Sequence, residues 1–91
     1  MEHKFSKPYS FDGDSFEKID LDLDALTGDD MLTAEREFTA AGGFGAMMET
    51  SKGYLAILAA KAAKVPAEFI NGLPAKEFSK ITLAVQTFLF E

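Results

Sequence analysis

Ile19-Asp20-Leu21-Asp22-Leu23-Asp24 alternates an aliphatic residue with a carboxylate at every step. Successive side chains of a strand point to opposite faces, so this stretch predicts a half-buried antiparallel strand, apolar on one face and acidic on the other. Upstream, Phe5, Lys7, Tyr9 and Phe11 share one phase of the same period-2 pattern, and Asp12-Gly13 lies between the two runs. Asp and Gly accept the positive φ of tight hairpin turns, so residues 4–24 are expected to form a β-hairpin. Pro8 cannot donate to a ladder, which places the first strand at an edge or near its own beginning.

Beyond the hairpin the period changes to that of helices. Thr27 and Asp30 have the spacing of a capping box, and Asp29 and Asp30 suit the positive end of a helix dipole. A helix is expected to begin at Thr27, bury Met31, Ala34, Phe38 and Ala41, and stop at Gly42-Gly43. Gly42-Gly43-Phe44-Gly45 reads as a flexible joint. It is followed by no Walker lysine and fed by no strand, so it does not read as a phosphate cradle. A second helix is expected within Ala46 to Lys64, with a start at Thr50 or Ser51 as the shorter version because Gly53 is a weak point. Its buried face is Met47, Tyr54, Leu55, Leu58, Ala62 and Val65, and Met47 and Met48 are read as core filler rather than as an adaptable binding surface. Val65-Pro66 opens a short helical turn, Pro66 to Asn71, closed by Gly72. Leu73-Pro74 opens the last helix, Ala75 to about Phe90. There Phe78, Ile81, Thr82, Val85, Phe88 and Leu89 follow the i, i+3, i+4, i+7 spacing of an amphipathic helix. The expected fold is α+β: an N-terminal β-hairpin, then three main α-helices and a short helical turn over residues 27–91, in one domain spanning residues 1–91.

Composition narrows the chemistry. The 91 residues hold no Cys and one His, so disulfides and thiolate metal sites are not expected. That histidine, His3, lies in a terminus expected to fray. Asp20, Asp22 and Asp24 share one face of the expected strand and could collect a divalent cation, although carboxylates so placed are more often solvated. With no serine in a recognisable elbow either, catalysis is not expected, and neither is a cofactor. No apolar run approaches the roughly 20 residues of a membrane span. Met1-Glu2-His3-Lys4 lacks the basic-then-apolar layout of a signal peptide, so a cytoplasmic location is expected.

The net charge of −6 is uneven: residues 12–37 hold ten carboxylates against Lys18 and Arg36. Nucleic-acid binding needs the opposite sign. The acidic half reads as a solvated face that keeps the chain soluble or, more sharply, as a docking face for a basic partner. Ile57, Phe69, Leu83 and Phe90 fall off the helical stripes and are the candidate protein-binding residues. The unpaired hairpin edge is a further candidate, for strand addition.

The order of motifs resembles one family, the tail assembly chaperones of long-tailed bacteriophages and prophages. The hairpin half supplies Lys7-Pro8, Asp12-Gly13 and the alternating second strand, and the first helix Leu26-Thr27-Gly28-Asp29-Asp30-Met31 and Glu35-Arg36-Glu37-Phe38. Ser51-Lys52-Gly53-Tyr54, Ala59-Ala60-Lys61-Ala62 and Val65-Pro66 continue the series. Leu73-Pro74-Ala75-Lys76-Glu77-Phe78 and Val85-Gln86-Thr87-Phe88-Leu89 close it. Each motif has a local structural reason, and their collinear order over nearly the whole chain carries the resemblance. It implies a non-enzymatic chaperone of the host cytoplasm, absent from the mature virion. The implied partners are the tape-measure protein and, beside it, the tail tube subunit, with self-association into a homo-oligomer. The last two helices would offer an apolar groove. Readings from other classes are a structural tail component retained in the virion and a small acidic protein-binding regulator.

Overall fold

The computed structural model describes residues 1–45 and 47–91, so the Ala46 start of the second helix lies outside the described residues. Strands β1 (Glu2–Phe11) and β2 (Asp14–Asp20) pair antiparallel around Asp12 and Gly13, both at positive φ (52° and 84°) as the dipeptide predicts. The ladder is not continuous. Lys4 pairs with Lys18 and Tyr9 with Phe16, so residues 5–8 bulge opposite Glu17 alone. Pro8, without an N–H, falls inside this bulge, where no ladder bond is lost. Lys7 is exposed there, while Phe5, Tyr9 and Phe11 pack against the core.

The alternation through Leu23 survives as burial but not as strand. Ile19, Leu21 and Leu23 are buried, yet β2 ends at Asp20 and Leu23–Ala25 form a 3-10 turn. The Asp22 N–H instead donates to the Ala62 carbonyl at 3.1 Å. That carbonyl belongs to the last turn of a helix and has no partner within it, which draws the chain off the sheet.

Helix α1 (Gly28–Ala40) starts with the expected capping box: Thr27 Oγ1 accepts from the Asp30 N–H at 3.2 Å and Asp30 Oδ2 from the Thr27 N–H at 2.9 Å. It ends with the Gly42 and Gly43 N–H groups donating to the Thr39 and Phe38 carbonyls. A 3-10 turn over Met48–Thr50 precedes α2 (Lys52–Ala63), close to the shorter start expected for it. Met47 lies outside the helix and is exposed, contrary to its expected burial, because the chain has not yet entered the helical register. Gly53 is not merely a weak point, since a methyl group there would overlap the Phe38 ring of α1. Tyr54, Leu55, Ala56, Leu58, Ala59, Ala60 and Ala62 are all buried, so α2 is wrapped nearly all round by its neighbours. The short α3 (Ala67–Asn71) and α4 (Ala75–Leu89) complete the α+β fold, with Ile81, Thr82 and Val85 of α4 in the core. The Thr82 hydroxyl is satisfied by the Phe78 carbonyl at 3.0 Å. Among the described residues no helix is long and apolar enough to cross a membrane.

Helix α2 closes on Lys64, a non-glycine residue at φ 58°, ψ 43°, with the Val65 N–H bonded back to the Ala60 carbonyl. The left-handed conformation strains an L side chain and glycine lacks that strain. Lys64→Gly is therefore expected to raise the unfolding free energy by about 0.5–1 kcal/mol. Thermal denaturation would read this as a Tm higher by about 2–8 °C.

Candidate functional site

The four candidate binding residues separate into two buried or half-buried and two exposed. Phe69 is 1% exposed, which corrects its expected place on the surface. Its ring is met edge-on by Tyr9, Phe11 and Phe16 at centroid distances of 5.0, 5.1 and 5.0 Å. The Tyr9 hydroxyl also donates to the Phe69 carbonyl at 2.9 Å. A helix of five residues makes little more than one turn, so its spacing does not reveal that the hairpin covers this side. Ile57 is half-buried, packed against the core beside the Glu37–Lys61 ion pair that joins α1 to α2. Leu83 and Phe90 are 60% and 54% exposed, Leu83 on α4 and Phe90 at the residue that caps its C-terminal end.

His3 is not frayed. It stands in β1 opposite Ile19, and its Nε2 lies 2.8 Å from Glu77 Oε1. Glu77 Oε2 accepts the Ser6 backbone N–H, also at 2.8 Å, and Glu77 is only 5% exposed. The Ser6 N–H first, and His3 second, hold the Glu77 carboxyl below its ordinary value against the opposing effect of burial. A nucleophilic relay places imidazole between hydroxyl and carboxylate. Here the carboxylate stands between imidazole and a backbone N–H, so the group clasps β1 to α4.

The three aspartates expected to share a strand face do not. Asp20 ends β2, Asp22 precedes the 3-10 turn and Asp24 lies within it. Among the described residues no three His, Asp or Glu side chains come close enough together to hold a metal ion.

Leu83 borders one of the open clefts on the surface. This cleft, of about 560 Å³, runs between the 3-10 turn and the outer side of α4. Leu21 and Leu23 line one side and Leu83, Ala84 and Phe88 the other. Asp22, Asp24, Glu91 and Lys80 stand around it. Leu83 was legible as an off-stripe residue of α4. The opposing wall was not, because the same alternation that marks Leu21 and Leu23 as buried does not say which helix they meet. No family model matches the sequence, and no curated protein or solved structure is significantly similar to it.

Proposed function

We propose that this chain is a non-enzymatic tail assembly chaperone of a long-tailed bacteriophage or prophage. It binds the tape-measure protein in the host cytoplasm, keeps it soluble while tail-tube subunits polymerise around it, and leaves before the virion is complete. The observation that carries this reading is the collinear run of motifs from Lys7-Pro8 to Val85-Gln86-Thr87-Phe88-Leu89. Exposed Leu83 and Phe90 and the cleft beside α4 are of the chemistry such a role calls for, since a chaperone of a long helical protein needs apolar surface with a charged rim.

Co-expression with the tape-measure protein encoded nearby tests it. The expected result is that the tape-measure protein moves into the soluble fraction and co-purifies with this chain. A tape-measure protein that stays insoluble beside a well-folded chain would overturn the reading. Recovery of the chain from purified virions would favour a structural tail component instead.

A further inference from the structure

Resting on the chaperone reading, we infer that the cleft between the 3-10 turn and α4 is a docking groove for a basic amphipathic helix of the partner protein. Shape is the first argument. The cleft is open, and Leu83, Ala84 and Phe88 of α4 supply its accessible apolar surface, while Leu21 and Leu23 line it as buried residues. A small ligand needs a concave site that covers most of its surface with convergent polar groups. An open cleft with an apolar strip along α4 and carboxylates beside it fits a helix that lays down one leucine-bearing stripe.

Charge identifies the helix. Asp22, Asp24 and Glu91 stand around the cleft, and none enters an ion pair or a side-chain hydrogen bond among the described residues. Two cations share the lining: Lys80, and the Met1 ammonium, which is already engaged by the Leu21 carbonyl at 2.8 Å and by Asp20 at 3.4 Å. Acids that have no internal partner are free to meet lysine or arginine flanking the apolar stripe, which steers association and selects against acidic helices. The same charges argue against a second copy of this chain as the occupant. A two-fold interface sets a patch against itself, and here carboxylates would face carboxylates.

The test uses the full chain, labelled with nitrogen-15, and a synthetic leucine–lysine helical peptide. A leucine–glutamate peptide of the same pattern is the control. The expected result is that amide shifts on adding the lysine peptide concentrate at Leu23, Asp24, Lys80, Leu83, Ala84 and Thr87. The glutamate peptide should bind at least about ten-fold more weakly. Leu83→Glu, at an exposed position that leaves the core intact, should weaken the lysine peptide by about ten-fold or more. Its unchanged melting curve would show that folding is not the cause. Asp22→Asn with Asp24→Asn should weaken it and flatten its salt dependence, while Lys80→Glu should tighten it.

Shifts centred elsewhere, equal binding of the two peptides, or an indifferent Leu83→Glu variant would each overturn the groove. So would a wild-type dimer in sedimentation that moves the same amides, which would assign the cleft to a second copy. The two readings fail separately. A tape-measure protein solubilised equally well by Leu83→Glu would remove the groove and leave the chaperone function standing. A mapped lysine peptide beside an insoluble tape-measure protein would do the reverse.

Discussion

Phe69→Ala is expected to lower the unfolding free energy by about 3–5 kcal/mol, the range for deleting a fully buried aromatic ring. Domains of this size have about 5–14 kcal/mol in total, so the loss takes a large share of the stability. The ring is the meeting point of Tyr9, Phe11 and Phe16, which come from both strands, with α3. Its removal opens a cavity and also dissolves three edge-on aromatic contacts worth about 0.5–1.5 kcal/mol each beyond their burial. Urea denaturation followed by far-ultraviolet circular dichroism reads the midpoint. Phe90→Ala, at an exposed position, is the control and should stay within about 0.5 kcal/mol of the parent. Equal effects of the two substitutions would mean that the hairpin does not seat on α3 through this ring.

Glu77→Ala is expected to cost about 1–3 kcal/mol, because one carboxylate accepts from the part-buried Ser6 N–H and pairs with His3, and its loss removes both contacts. Its dependence on pH has a definite sign. Hydrogen bonding by Ser6 and then His3 lowers the folded-state pKa of Glu77 from 4.5, so the fold holds the ionised form preferentially. The stabilisation is complete above 4.5 and disappears as pH falls through the lower folded-state value. Unfolding free energies measured for the parent and Glu77→Gln at several pH values should therefore converge as the solution is acidified. A gap that stays constant through the acid range would show that the charge of Glu77 contributes nothing to the clasp.

Local chemistry explains which parts of this fold could be read from the sequence. Asp12-Gly13, the Thr27–Asp30 box and the α4 stripe each act over a few residues, and each is found where its spacing puts it. Phe69 and His3 were misjudged for one shared reason: their partners lie 60 and 74 residues away, beyond any local pattern. The bulge at residues 5–8 was foreshadowed by Pro8, but the use made of it, turning the Ser6 N–H toward Glu77, depends on where α4 packs. Of the candidate site, Leu83 and Phe90 were visible as apolar residues off a clear stripe. The facing wall is a product of tertiary placement, because a buried leucine announces its burial and not its neighbour.

The clasp between β1 and α4 also bears on the order of events during synthesis. Ser6 and His3 precede Glu77 by 71 and 74 residues, and at about 5–20 residues per second that separation lasts about 4–15 s. A two-stranded hairpin is marginal alone in water, so through that interval the aromatic face of β1 has no stable cover. The ribosome-bound intermediate is thus the species most open to mispairing. Arrival of α3, whose Phe69 takes up Tyr9 and Phe11, and then of α4, whose Glu77 closes the clasp, ends its exposure to aggregation and to proteases.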